Sequence, residues 1–300
     1  MKLGYIGLGK MGANMVERFL EKGYEVVAYD RNEDAVKVAK NKGAQTADTL
    51  AVLIAALPLP RLVWIMVPYH AVDAVLKELT PLLAMGDVVV DGGNSPYKES
   101  IRRAKELEAR GIGFLDVGVS GGPAGARNGA CIMVGGKKDV FQKFETVFRD
   151  LSVPDGYGFM GRSGAGHFVK MVHNGIEYGM MQALAEGFSV MKASDFRLDL
   201  TKITDVYNHK SVIESRLVGW LQSAFAQYGE DLKDITGSAA QSGEGMWTVQ
   251  AGKELGIPTP IIQAALDFRI QSLKNPSYTG KLISAMRNQF GGHEVKEKKS

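Results

Sequence analysis

Three glycines within the first dozen residues constrain this chain more than anything else in it. Residues 2–8 form a short apolar run that leads straight into Gly7-Leu8-Gly9-Lys10-Met11-Gly12. An amphipathic stretch follows, with Met11, Met15, Val16, Phe19 and Leu20 on one side, and Gly23 stops it. A second apolar run, Glu25 to Tyr29, ends at Asp30. Strand, glycine turn, helix and strand in this order is the context a dinucleotide fingerprint requires. Gly7 permits the tight turn, Gly9 lets backbone approach a pyrophosphate, and Gly12 lets the helix pack on the strand. The N–H groups and positive dipole of the helix start suit phosphate.

Asp30 bears on which dinucleotide is held. A carboxylate there accepts hydrogen bonds from adenosine ribose hydroxyls and repels a 2′-phosphate, which favours NAD over NADP. Arg31 pulls the other way, because a guanidinium can stack on adenine or pair with that phosphate. Without the glycines upstream, Asp30 would read as a turn residue closing a strand.

Three hundred residues suffice for two domains and a substantial core. The 36 basic and 33 acidic side chains are spread evenly along the chain, so no basic surface points to nucleic acid. The single cysteine, Cys131, excludes an intrachain disulfide and fits a reducing, cytoplasmic compartment. Its apolar neighbours, Ala130 and Ile132 to Val134, lead us to expect an inert core thiol. No apolar run approaches the ~20 residues of a membrane span, and glycines cut the N-terminal one, so neither span nor signal peptide is expected. Lys296 to Lys299 reads as a frayed tail. The five histidines form no cluster with ligand spacing, and no metal is expected.

From residue 1 to about 162, apolar runs at Leu62–Val67, Asp87–Asp91, Phe114–Val117 and Ala130–Val134 alternate with helical patterns at Ala71–Leu83, Pro96–Arg110 and Val140–Asp150. The alternation predicts an α/β Rossmann-like, doubly wound, mostly parallel sheet, with ligand outside the strand ends. Beyond Gly164 strand signals vanish. Helical patterns over 165–193, 199–206, 212–227, 246–256, 259–273 and 278–289 predict an all-helical C-terminal domain. The expected domains are therefore 1–162, for dinucleotide, and 163–300, for substrate and oligomerisation.

The second domain opens on Lys170-Met171-Val172-His173-Asn174-Gly175-Ile176-Glu177-Tyr178. An amine, an imidazole, an amide, a carboxylic acid and a phenol stand at i, i+3, i+4, i+7 and i+8, on one face of a helix. Phe168, Val169, Met171, Val172 and Ile176 occupy the other faces and can bury it. The plain alternative is a partly buried polar stripe, though a solvated face more often carries Lys and Glu alone. Two glycine turns, Asp91-Gly92-Gly93-Asn94-Ser95 and Val119-Ser120-Gly121-Gly122, each follow a strand and offer N–H groups and short polar side chains to an anion. Either alone could be purely structural.

Together, Gly7–Gly12, Asp91–Ser95, Ser120–Gly122 and the run from Gly164 through Tyr178 closely resemble the 6-phosphogluconate dehydrogenase family, within the β-hydroxyacid dehydrogenases. The resemblance spans the chain and is to the short form of the family. The 3-hydroxyisobutyrate type shares the glycine fingerprint and the lysine but not the His173–Tyr178 continuation.

The resemblance implies oxidative decarboxylation of 6-phosphogluconate to ribulose 5-phosphate with reduction of NAD, chemistry of the pentose phosphate pathway. It implies that Lys170, Asn174 and Glu177 are catalytic, with Lys170 the general base and Glu177 the acid that protonates C1. Lys170 must then be neutral, well below its ordinary range near ~10.4. Gly7, Leu8, Gly9, Lys10, Met11, Gly12, Asp30, Arg31, Val67 and Asn94 would hold the cofactor. Asn94, Ser120, Gly121, Gly122, His173, Asn174, Tyr178, Thr248, Arg269, Arg287 and His293 would hold the substrate. Arg287 and His293 would reach a neighbouring subunit's site, which implies a homodimer or homotetramer. At Met246 the family carries Lys or Arg, a cation that assists phosphate binding; Arg269, Arg287 or Lys233 would have to suffice. A 3-hydroxyacid or unphosphorylated sugar-acid dehydrogenase, or a non-catalytic NAD-binding protein, are the alternatives.

Overall fold

In the computed structural model, which describes residues 1–295, the chain divides into two compact units, one ending at Met171 and the other starting at Val172. The expected tail, Lys296 to Lys299, lies outside the described residues.

The first unit alternates strand and helix: β1 (Lys2–Ile6), α1 (Lys10–Glu21), β2 (Glu25–Tyr29), α2 (Glu33–Asn41), β3 (Gln45–Thr46), α3 (Leu50–Ala55), β4 (Leu62–Ile65), α4 (Tyr69–Leu79), β5 (Val88–Asp91), α5 (Tyr97–Glu108), β6 (Gly113–Ser120), α6 (Gly122–Asn128), β7 (Ala130–Gly136), α7 (Lys138–Lys143), α8 (Glu145–Leu151) and β8 (Ser152–Gly161). The strands form one sheet in the order β3-β2-β1-β4-β5-β6-β7-β8. Every pairing is parallel except β6 with β7. The apolar runs are continuous rather than alternating because both faces are buried. Leu3, Tyr5, Trp64, Val90 and Leu115 pack on one side, and Ile6, Val63, Ile65, Val89 and Phe114 on the other.

The second unit is helical. α9 (Ala165–Ala193) enters it from the first, and α10 (Leu200–Tyr207), α11 (Arg216–Tyr228), α12 (Glu244–Glu254), α13 (Pro260–Ser272) and α14 (Tyr278–Gly291) complete it. Asp199, Ser215 and Ser277 each cap a helix start by accepting a backbone N–H, which fixes where α10, α11 and α14 begin. The expected helix over 212–227 therefore starts later, at Arg216. Its core is Met181, Phe188, Leu221, Phe225, Leu282 and Met286. Among the described residues no helix is long and apolar enough to cross a membrane.

Four expectations need correction. The helix expected over Val140–Asp150 is two, α7 and α8, because Phe144 leaves helical geometry (φ −115°, ψ 15°) to bury its ring. Strands β3 and β8 were not anticipated; the first has two residues, and the second contains Pro154 and several glycines, which suit an edge strand. Cys131 is exposed, not a core thiol. It alternates with the inward Ala130 and Ile132 on β7 and pairs with Ser120 at the end of β6. Ile176 is 52% exposed and does not bury its helix; Met171 does.

Candidate active site

The turn between β1 and α1 is built by close approach. A Cβ at Gly7 (φ +102°) would run into the Met66 carbonyl oxygen, and one at Gly12 into the carbonyl oxygen of Gly7. At Gly9 the same atom would meet nothing within 4 Å. Space is thus closed on the protein side and open where Gly9 starts α1, a helix start that no side chain caps. The α1 start at Gly9 and Lys10 stands at that opening, which fits a pyrophosphate. The residues present therefore fit a dinucleotide.

Asp30 closes the turn. Its Oδ2 accepts from the Leu8 N–H at 2.6 Å and its Oδ1 from the Asn32 N–H at 2.7 Å. Arg31 points to Glu78, 3.5 Å away and exposed. Val67 follows β4 between two turns: its Cγ1 lies 2.9 Å from where a Gly7 Cβ would be, and its carbonyl oxygen 2.7 Å from a Gly93 Cβ. The Asp91–Ser95 turn is thus near the glycine turn, with Asn94 exposed at its tip.

Residues the sequence reading passed over hold that second turn. Asp91 is fully buried; it accepts from Gly93 N–H at 3.2 Å, from Ser95 Oγ at 2.7 Å and from Arg103 Nη1 at 3.2 Å. Arg103, on α5 and only 1% exposed, also donates to Asp73 and to the Tyr69 carbonyl. Removing one partner of a buried ion pair costs ~3–5 kcal/mol, so this network fixes the turn firmly. Ser120, Gly121 and Gly122 lie half-buried where β6 passes into α6.

Lys170 lies near the start of α9 and is 7% exposed. A Cβ at Gly118 would strike the Lys170 Cβ, so the lysine stem rests on the bare backbone of β6. Farther along α9, His173 Nδ1 is 2.9 Å from Asn174 Oδ1 and 4.0 Å from Glu177 Oε2.

The second unit gathers a separate group. The Arg269 guanidinium stacks 3.4 Å from the centre of the Tyr178 ring, and both residues are buried. A desolvated contact of this kind is worth about 2 kcal/mol. Burial pushes the Arg269 guanidinium down to about 10, helped by like charge on Arg287, while Tyr178 and Glu177 oppose the shift. Arg287 is also lowered, by burial, against Tyr178, Glu177 and Glu244. The Glu177 carboxylate faces both arginines electrostatically, and Glu244 faces Arg287. Thr248 packs on α9, its Oγ1 2.8 Å from where a Gly175 Cβ would sit. The Tyr178 hydroxyl accepts from the Ser242 N–H at 3.3 Å.

Some expected members stand elsewhere. Arg287 lies in the electrostatic surroundings of Tyr178, Glu177 and Glu244. Leu282, Ile283, Ala285 and Met286 bury α14, and Arg287 itself is 9% exposed. His293 is exposed beyond α14, against Phe290. Met246 is 45% exposed on α12. Lys233 is exposed, with Asp231 3.9 Å away.

Comparison with known proteins matches these two parts separately. The NAD binding domain of 6-phosphogluconate dehydrogenase matches residues 2–161, and the 6-phosphogluconate dehydrogenase C-terminal domain matches 166–277. A Bacillus subtilis protein named "Putative 6-phosphogluconate dehydrogenase YqeC" is 48% identical over 99% of this chain and 100% of its own. The NAD(+)-dependent, decarboxylating 6-phosphogluconate dehydrogenase of Haloferax volcanii is 44% identical over 99% of both chains. The Plasmodium falciparum 6-phosphogluconate dehydrogenase structure, described with NADP+ and with 6-phosphogluconate, superposes with a TM-score of 0.83 at 32% identity. That match covers 92% of this chain and 62% of that longer one. A Mycobacterium tuberculosis 3-hydroxyisobutyrate dehydrogenase shares the fold at 19% identity and a TM-score of 0.75, over 95% of this chain and 99% of its own.

A Rossmann-like dinucleotide domain followed by this helical domain defines an oxidoreductase of the two-domain dehydrogenase class. Within that class, the chain belongs to the 6-phosphogluconate dehydrogenase family.

Proposed function

We propose that this protein oxidatively decarboxylates 6-phosphogluconate to ribulose 5-phosphate, with NAD preferred as oxidant. The observation that carries the reading is the pair of buried arginines beside Tyr178. Two guanidiniums held in one desolvated group, the first stacked on the Tyr178 ring, suit a doubly charged anion. That pair can replace the cation the family carries at Met246.

NAD would be held at the Gly7–Gly12 turn and Asp30, and would supply the hydride acceptor for oxidation at C3 of the sugar acid. Lys170, neutral, takes the proton from the 3-hydroxyl as general base. The resulting β-keto acid loses CO2 once its ketone oxygen is polarised, and protonated Lys170 donates to that oxygen and stabilises the enediol. Glu177 then delivers a proton to C1 while Lys170 takes back the enediol O–H proton, which gives the ketopentose phosphate. Asn94, Ser120, Gly121 and Gly122 hold the carboxylate and adjacent hydroxyls, and His173 and Asn174 other hydroxyls. Tyr178, Thr248, Arg269 and Arg287 hold the phosphate. Preference for NAD is supported by the Asp30 carboxylate, fixed beside the glycine turn, and by the engagement of Arg31 with Glu78. Arg287 and the exposed His293 reach a neighbouring subunit's site in a homodimer or homotetramer.

The test is initial rates on 6-phosphogluconate and on gluconate, each with NAD and NADP, following reduced cofactor and released CO2. The expected result is turnover of 6-phosphogluconate with one CO2 per NADH. Turnover of gluconate alone, or reduction without CO2, would overturn it. The second case would favour simple 3-hydroxyacid oxidation, the reading that Met246 keeps open.

A further inference from the structure

A carboxylate in the middle of an apolar strand must be compensated, since burying it bare costs several kcal/mol. Asp116 is such a group, fully buried on β6 between Leu115 and Val117. Its Oδ1 accepts from the Gly164 N–H at 2.7 Å, and its Oδ2 from the His167 N–H at 2.9 Å. Those are N–H groups at the start of α9, where the preceding Gly164 has no side chain to cap the helix. Asp116 therefore caps α9 from another element, and places negative charge at the positive end of the helix.

The same face of β6 carries Gly118 two residues on, and Gly118 receives the Lys170 stem. A Cβ at Gly135 would lie 2.5 Å from Gly166 N and 2.6 Å from the Asp116 carboxylate. The first turn of α9 is thus pressed on the backbone of β6 and β7 without an intervening side chain. His167 adds a third tie, its buried Nδ1 2.7 Å from Ser100 Oγ on α5.

We infer that Asp116 is a positioning residue for Lys170: by capping α9 on the glycine seat of β6, it fixes where the base amine stands. The inference rests on the reading of Lys170 as the base. Displacement of a reacting group by about 1 Å can cost a hundredfold in rate, so the effect belongs in kcat.

The experiment is a double-mutant cycle on purified full-length enzyme, with kcat, both KM values and melting temperature measured throughout. Asp116→Asn keeps the shape but turns one acceptor into a donor facing an N–H. It is expected to lower kcat about tenfold to a hundredfold with both KM values within about threefold. In the Lys170→Ala background the same change is expected to cost less than about twofold, since non-additivity reports coupling. An equal loss in both backgrounds, or none in the wild type, overturns the inference. A Lys170→Ala enzyme with undiminished kcat would instead sink the reading of Lys170 itself. Gly118→Ala leaves Asp116 in place and displaces the lysine stem, so it runs the same cycle should Asp116→Asn not fold. It is expected to give the same loss of kcat, and a wild-type kcat from Gly118→Ala overturns the inference.

Discussion

The glycine turn of the first unit and the arginine group of the second prepare for anions in opposite ways. At Gly7–Gly12 the chain removes side chains, so that backbone N–H groups and a helix start meet the ligand. Around Tyr178 it concentrates charge, stacking one buried guanidinium on a ring and placing a second nearby. The first is local in sequence and costs little to hold empty. The second draws on α9, α13 and α14 and carries a desolvation cost that Tyr178 and Glu177 offset only in part, visible in the lowered Arg269 and Arg287. A backbone cradle can therefore serve any dinucleotide, whereas a strained cationic pair should select strongly for a dianion.

That contrast can be broken first at Arg269. Arg269→Met should raise KM for 6-phosphogluconate about tenfold to a hundredfold, since a charge-assisted hydrogen bond is worth ~1.5–3 kcal/mol. KM for NAD should stay within about twofold; a parallel rise would mean that the arginine supports the fold rather than the phosphate. Two alanines sharpen the other side. Gly12→Ala should destabilise the protein by ~1–3 kcal/mol in urea, because its Cβ meets the Gly7 carbonyl. Gly9→Ala should leave stability within about 0.5 kcal/mol and weaken NAD binding instead, which titration of NAD would read. If both behaved alike, the opening at Gly9 would have no part in binding.

Inorganic phosphate offers a smaller test. At ten times its Kd it should stabilise the fold by about 1.4 kcal/mol, seen as a rise in Tm that chloride does not give. The Arg269→Met protein should show no such rise. The sign with pH is also set. Burial holds the folded Arg269 guanidinium down at about 10, well below its ordinary range, so its burial penalty is full below about 10. Stability from this group should rise as pH climbs past 10. Smallest of all, Met246→Lys should lower KM for 6-phosphogluconate by a few-fold, because the position is half exposed and solvent screens a charge there. An unchanged KM would show that the arginine pair has already replaced that cation.

The same contrast explains what could be read from the sequence. The glycine fingerprint, the parallel sheet and the helical second half follow from local spacing and period, and each is found in place. Edge strand β8 hid behind Pro154 and its glycines, and the break at Phe144 depends on a core pocket no local pattern reveals. Arg269 and Arg287 came from the family resemblance alone, since nothing near them in sequence marks them as a pair. Asp116 did leave a sign: an acid inside the apolar run Phe114–Val117 is a demand for partners. Its partners lie some fifty residues on, at Gly164 and His167, and only the fold brings them together.

Cys131 has a practical use. It is the one thiol of the chain, it is exposed, and it stands in register with Ser120 across the β6–β7 pair. Residues directly opposite on an antiparallel pair carry their Cβ atoms ~4.5–5.5 Å apart. A fluorophore or spin label attached there would sit one side chain from Ser120 with no second attachment point to confuse the signal. The wild-type chain thus comes with its own reporter position for titrating ligands one at a time.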